Sequence, residues 1–362
     1  MSRRAPQIGV TPEGGLGMPW LEGLLAPALA LKGHALLLHG PAGSDQLQAA
    51  LLLAQAWLCE VPQGARKPCG RCASCQQVRQ RSHPDLHILV AEADQVAWGW
   101  LPDDHPLLRS TAKPSRQLRV DQVRAASAWA ASTSARGQGK ALVLHPAESL
   151  NETSANALLK TLEEPQPGMR MLLSCSDPAR MLPTLLSRCQ RLPVPLPAPD
   201  EAARWLTGQG VSEAPALLVA AGGSPQAALE LAEAGVTPAT LQALPRAVAA
   251  GLAAPLSGQA LPRAVDLLLR LCHDALAVAA GGAPRFFALA DLVPGADLPL
   301  LLDWQRTLMQ TARHADHPVN TAWRVESLVA AGARAWHGAH KAAAGSSATG
   351  RRPGAMPLNS GR

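Results

Sequence analysis

The stretch HALLLHGPAGSDQLQAALLLAQAWLC, residues 34–59, runs from a short apolar segment through a turn with Gly40 and Gly43 into a long apolar-patterned segment. An apolar run of this length closed by glycine reads as a buried strand, and apolar spacing of i, i+3, i+4 reads as a helix. The unit recurs. PDLHILV and KALVLH are further strands, LRVDQVRAASAWAAS and SLNETSANALLKTLEEP are helices, and MRMLLSCS is a strand followed by PARMLPTLLSRCQRLPV, a helix that leads into another short strand. Strands alternating with helices of this size demand a parallel sheet covered on both faces, a three-layer α/β domain over residues 1–196.

Local punctuation supports the pattern. Ser44 or Asp45 suits the N-cap of the first helix, Ser149 and Glu152 fit a capping box, and Pro165 stops the helix after Glu164. Residues 91–117 contain three prolines and no steady period, so they read as an irregular insertion, a loop. After the proline-rich LPVPLPAPD the strand signal ends. Residues 197–236 hold three short helices, and residues 237–337 hold longer helices whose apolar faces suit a bundle. Residues 338–362 are basic and poor in apolar side chains, the pattern of a disordered tail.

The 362 residues carry a net charge of +6, compatible with a polyanionic partner without identifying one. No apolar run approaches the roughly 20 residues of a membrane span. The N-terminal MSRRAPQIGVTPEGG has basic residues but no apolar segment behind them, so the expected location is the cytoplasm.

Four of the seven cysteines, Cys59, Cys69, Cys72 and Cys75, fall in a C-x9-C-x2-C-x2-C pattern. In a reducing compartment such a cluster favours a metal over disulfides. Two short Cys-x-x-Cys turns and a cysteine at the end of the preceding helix complete an all-thiolate tetrahedral shell for a structural Zn2+, with no position left for water or substrate. Gly64 and Gly70 give the loop freedom to wrap, and chelation supplies folding free energy that so polar a segment lacks. A disulfide pair and an iron–sulfur cluster are the alternatives.

The turn at residues 40–47 stands where a phosphate cradle belongs, between a strand and a helix N-terminus. A working loop of the pattern GxxxxGK[ST] has Gly, Lys and Ser/Thr where this chain has Asp45, Gln46 and Leu47. The charge for the phosphates and the hydroxyl for magnesium are both missing, and Asp45 would repel a triphosphate. The strand KALVLH ends in His145 and Pro146 where an ATPase carries its magnesium-binding acid, and Glu148, three residues on, reads as a capping or surface residue. Two losses of this kind indicate a scaffold without catalysis, and no nucleotide cofactor is expected at Gly40, Gly43, Asp45, Gln46 and Leu47.

The cysteine module before HPDLHIL, the run NALLKTLEEP at 156–165 and LPTLLSRC at 182–189 together resemble the clamp-loader subunits of bacterial DNA polymerase III, members of the AAA+ family, over residues 15 to 337. Within that family the motor subunits keep an intact nucleotide site and a non-motor branch has a degenerate one, which is the condition this chain resembles. The resemblance implies an AAA+ P-loop-type α/β domain with a zinc module (59–75), a three-helix lid (197–236) and a helical collar (237–337) that oligomerises. It implies that Arg188, within Ser187-Arg188-Cys189, reaches the γ-phosphate of ATP on a neighbouring subunit as an arginine finger. Gln226 takes the place of the motors' sensing arginine and Ser176 that of a sensing threonine. The implied partners are the gamma/tau motor subunits and delta in a hetero-pentamer and, through the complex, the sliding clamp and primer-template DNA, with Lys160 a candidate DNA-facing residue. The chain then serves as a stator in the DNA-directed DNA polymerase III holoenzyme. The alternatives are an ATP-hydrolysing motor subunit and a stand-alone zinc-dependent DNA-binding protein.

Overall fold

A computed structural model describes residues 5–62, 66–110, 112–313 and 320–346, with side chains up to residue 336. The chain divides into two compact units after Glu201.

In the first unit the elements are α1 (Glu22–Ala30), β1 (Ala35–His39), α2 (Gln46–Leu58), α3 (Ala73–Arg79), β2 (Leu86–Val90), α4 (Glu92–Ala97), α5 (Pro106–Arg109), α6 (Val120–Ala130), β3 (Lys140–His145), α7 (Glu152–Glu163), β4 (Met169–Cys175), α8 (Pro183–Leu186) and β5 (Gln190–Pro193). The five strands form one sheet in the order β2-β3-β4-β1-β5. Every neighbouring pair is parallel. Side chains alternate across it, as the two-residue period of a strand requires. Leu36, Leu38, Val143 and Leu172 meet the apolar face of α2, while Leu37, Leu142, Leu144 and Leu173 meet α6 and α7. The three-layer α/β reading is thus correct.

Two local expectations are corrected. The 91–117 segment is not wholly irregular, because it contains α4 and the single turn α5. Helix α4 has only six residues, too short to impose a visible period. The capping box at α7 does not form, since Asn151 Oδ1 accepts the Ser154 amide at 2.9 Å. Ser149 Oγ instead donates to the Pro146 carbonyl at 2.7 Å. Helix α7 ends at Glu163, within a residue of the expected stop, and leaves Lys160 exposed.

The second unit is helical among its described residues: α9 (Pro199–Gly208, which begins just before the division), α10 (Ala214–Ala220), α11 (Pro225–Glu233), α12 (Pro238–Ala249), α13 (Leu261–Ala279), α14 (Leu298–Arg313) and α15 (Thr321–Ser346). One apolar cluster runs from Ala202 to Trp336, centred on Leu268, Leu271, Trp304 and Val329. Helix α15 continues to Ser346, so residues 338–346 are helical rather than part of a tail. Their alanine content favours helix. Residues 347–362 lie outside the described residues, as does Gly64.

Candidate functional site

The turn between β1 and α2 keeps the path of a phosphate loop while its chemistry is altered. A Cβ on Gly40 would lie 2.2 Å from the Val194 carbonyl oxygen, so the position requires glycine for packing alone. Asp45 sits at φ 61°, ψ 36°, the left-handed conformation that the glycine of GxxxxGK[ST] supplies without strain. It occupies the N-cap position of α2, but its carboxylate makes no cap bond to the helix.

Gln46, at the place of the phosphate-binding lysine, is buried. Its Nε2 donates to the carbonyls of Gly40 at 2.8 Å and Pro41 at 2.9 Å. An uncharged amide therefore ties the loop to itself from within. Leu47, in the place of the magnesium-binding hydroxyl, turns into the apolar core under α2.

At the tip of β3, His145 Nδ1 lies 2.9 Å from Ser174 Oγ. Burial pushes its pKa down to about 4, against the opposing pull of the Glu148 carboxylate. Glu148 is neither a helix cap nor a free surface group. Its Oε1 accepts the Ser176 amide at 3.0 Å and the Ser176 hydroxyl at 2.6 Å, fastening the end of β4 to the end of β3. The acid nearest the strand tip and the sensing-threonine position are thus bonded to each other. In the second unit Gln226 lies in the first turn of α11, where Ser224 caps the helix through the Ala227 amide at 3.1 Å.

The four cysteines of the 59–75 module converge. Their sulfurs all lie within 4.8 Å of one another. The Cys69–Cys75 separation is 3.9 Å and the Cys59–Cys72 separation 4.0 Å. A tetrahedral ion with metal–sulfur bonds of about 2.3 Å requires sulfurs about 3.8 Å apart. The donor set therefore fits an ion such as zinc.

Backbone amides support the sulfurs: Cys69 N points to Cys59 Sγ at 3.4 Å, Cys72 N to Cys69 Sγ at 3.3 Å, and Cys75 N to Cys72 Sγ at 3.4 Å. Burial opposes ionisation of Cys69, but the Cys72 and Arg71 amides and the Cys59 thiol outweigh it and bring its pKa down to about 7. Burial pushes the Cys59 and Cys75 thiols up. The other three cysteines are packing residues, with burial pushing Cys175 and Cys272 up to about 12 and Cys189 to about 11.

Side chains that the spacing of the cysteines does not reveal join this module to the sheet. Buried Gln55 of α2 accepts the Val10 amide at 2.6 Å and donates to the Cys75 carbonyl at 3.2 Å. Ser74 Oγ donates to Glu60 at 2.9 Å and lies 3.0 Å from His83 Nε2. Arg136, from the turn before β3, pairs with Glu60 through Nε at 2.9 Å and through Nη2, and keeps its carboxyl below the usual range. Asp85 accepts the amides of Ala135 and Arg136, each at 2.8 Å. Burial raises the Asp85 pKa, but these bonds outweigh it and the carboxyl stays low. The HPD of HPDLHIL is therefore a structural clasp, and its signal in the sequence was proximity to the cysteines.

Arg188 follows α8 and lies between exposed Ser187 and buried Cys189. Cys189 packs in the core with Leu185 and Met181, which anchors the motif and leaves the arginine outside. The guanidinium pairs with Glu163 of α7 through Nε at 2.8 Å and through Nη2. Nη1 donates to the Thr184 carbonyl at 3.0 Å. The structure thus places an arginine on the surface at the end of the unit's last helix, tethered to one carboxylate.

The first unit thus joins a parallel sheet with this loop to a thiol cluster, and the second unit is all-α among its described residues. Residues 30–197 match the family model described as DNA polymerase III, delta subunit. The delta-prime subunit of DNA polymerase III from Escherichia coli K12 is 35% identical over 274 residues, 71% of this chain and 75% of that one. The delta-prime subunit from Pseudomonas aeruginosa is 35% identical over 225 residues, 60% of this chain and 62% of that one, so the match spans less than two thirds of that relative's length. The chain belongs to the DNA polymerase III delta-prime subunit family. The tau subunit of Escherichia coli K12 is 34% identical over 156 residues, 43% of this chain and 20% of tau. Among solved structures, a gamma subunit-related protein of DNA polymerase III from Thermotoga maritima has 15% identity and a TM-score of 0.45, covering 86% of this chain and 98% of that one. Among the described residues no helix is long and apolar enough to cross a membrane.

Proposed function

We propose that this chain is a non-hydrolysing stator of the clamp loader of DNA polymerase III. It joins gamma/tau motor subunits and delta in a hetero-pentamer that loads the sliding clamp onto primer-template DNA, and it works in the cytoplasm. The three helices α9 to α11 act as the lid and α12 to α15 as the collar that oligomerises. The observation that carries the reading is Gln46: its amide occupies the lysine position and is spent on the Gly40 and Pro41 carbonyls, leaving no cation for a triphosphate. The β3 tip, with His145 in the acid's place, removes the magnesium site as well.

Arg188 supplies its guanidinium to ATP held by a neighbouring motor subunit. Guanidinium offers paired donors to phosphate oxygens and stabilises charge as the γ-phosphoryl group transfers. Cys59, Cys69, Cys72 and Cys75 hold a structural Zn2+, which fixes the loop and takes no part in chemistry.

The test is reconstitution with motor subunits and delta. ATP hydrolysis stimulated by primed DNA and clamp loading should both fall with Arg188→Ala, while the isolated chain should turn over no ATP. Turnover by the isolated chain that is abolished by substitutions within residues 40–47 would overturn the stator reading.

A further inference from the structure

Two helices of the first unit end against each other in the same manner, and a cleft of about 260 Å³ opens between their ends and the segment of residues 5–8. Helix α4 closes with Trp98 as its cap residue, Gly99 at φ 62° and Trp100. The Gly99 amide bonds to the Val96 carbonyl at 3.2 Å and the Trp100 amide to the Gln95 carbonyl at 2.9 Å, the paired bonds of a Schellman turn. That turn folds Trp100 back toward Trp98, with ring centroids 4.8 Å apart and planes tilted by 52°.

Helix α3 closes in the same way, with Arg81 N bonded to Val78 O at 3.0 Å and Ser82 N to Gln77 O at 2.9 Å. Here the left-handed position is filled by Arg81, at φ 57°, rather than glycine. Its guanidinium lies 4.8 Å from the centre of the Trp100 ring. Arg79, two residues earlier, also lines the cleft, and among the described residues its side chain donates no hydrogen bond. Its charge is felt by Glu13, a fully exposed carboxylate.

We propose that this cleft binds one unpaired nucleotide of single-stranded DNA, with the base stacked against Trp100 and the phosphate held by Arg79. Indole faces accept any base, and arginine supplies both the stacking cation and the phosphate contact. The volume falls below the roughly 300 Å³ at which pockets for drug-sized ligands begin, so it suits one base rather than a whole cofactor. A net charge of +6 favours a polyanion over a neutral partner. None of these residues belongs to the 40–47 loop or to the Ser187-Arg188-Cys189 motif, so the site goes beyond the stator reading and stands or falls separately from it. It also gives the 91–117 segment a function.

The experiment titrates the full-length chain into labelled oligo(dT) at low salt and follows anisotropy. Arg79→Gln should weaken binding about fivefold and lower the steepness of the salt dependence by about 0.7, as one lost phosphate contact on a single strand requires. Trp100→Ala should weaken it about tenfold, Trp100→Phe should restore most of that, and an abasic strand should bind as weakly as the Trp100→Ala pair does. Unchanged thermal unfolding of Arg79→Gln, a side chain with no structural bond to lose, separates binding from folding. Equal affinity for the abasic strand, no response to Arg79→Gln, or tighter capture of an acidic peptide with a terminal aromatic residue than of oligo(dT) would each overturn the proposal.

Discussion

Arg188 is held by Glu163, with Nε and Nη2 both on one carboxylate oxygen, and the two side chains remain 36% and 48% exposed. A pair so open to solvent is worth about 0.2–1 kcal/mol. Removing the partner therefore costs the fold little. An arginine finger contributes about 10³ to 10⁵ in turnover. An ion pair this weak holds the guanidinium loosely, which leaves it available to the finger role proposed for it. In the reconstituted complex, Arg188→Ala should slow hydrolysis at the adjacent motor site by about a thousandfold and lower total turnover by that site's share. Glu163→Gln should leave hydrolysis at or slightly above the unmodified rate. Equal loss from both substitutions would mean that the ion pair, and not the finger, is what matters.

The convergent thiols predict one zinc ion per chain by metal analysis, lost in Cys72→Ser together with a fall in melting temperature. The clasp around them predicts something subtler. Arg136 reaches Glu60 and Ser74, and Ser74 lies between two of the ligands. Partners of this kind orient ligands, and their loss typically weakens metal binding 10- to 100-fold. Arg136→Ala should therefore lower zinc affinity about tenfold in chelator competition while all four cysteines remain. Retention at the unmodified level would limit the clasp to packing.

Strands β1 to β4 were legible because each is a mostly apolar run of five to seven residues, whereas β5 carries Gln190 and Arg191 and buries only Leu192. Helix α4 was not legible, since six residues make fewer than two turns and its flanking tryptophans suggested no period. At α7 the S-x-x-E pattern pointed to Ser149, but a short turn over 147–149 claimed that hydroxyl and left the cap to Asn151. The cysteine cluster was legible from spacing alone. Its clasp was not, because Glu60 and Arg136 are 76 residues apart and only the folded chain brings them together. The same holds for Gln46, whose sequence shows a missing charge but not that its amide bonds the loop carbonyls.

The left-handed Asp45 makes the loop a place to gain stability without function. A non-glycine residue there costs about 1–2 kcal/mol, and glycine returns about 0.5–1 kcal/mol of that as extra freedom in the unfolded chain. Asp45→Gly should raise unfolding free energy by about 0.5–1 kcal/mol in denaturant titrations. Gln46→Lys added to it would restore the glycine and the lysine of the loop but neither the hydroxyl at Leu47 nor the acid at the β3 tip, where His145 bonds Ser174. The double substitution should bind nucleotide better and still turn over no ATP. Hydrolysis by that variant would show that the scaffold retains an unrecognised acid.

His145 also sets a pH dependence. Its pKa is about 4 in the folded chain because burial disfavours the charged ring, against 6.5 for the free side chain. Below pH 6.5 the unfolded chain takes up a proton that the folded chain refuses, so the unfolded side gains as pH falls. The stabilisation is fully present above 6.5 and is lost progressively between pH 6.5 and about 4. A shift of that size corresponds to about 3 kcal/mol. His145→Asn keeps a polar group near Ser174 Oγ without a titrating ring. Denaturant unfolding of the variant should therefore lose about 3 kcal/mol less than the unmodified chain between pH 7 and pH 4. Parallel pH profiles for the two proteins would place the acid sensitivity elsewhere.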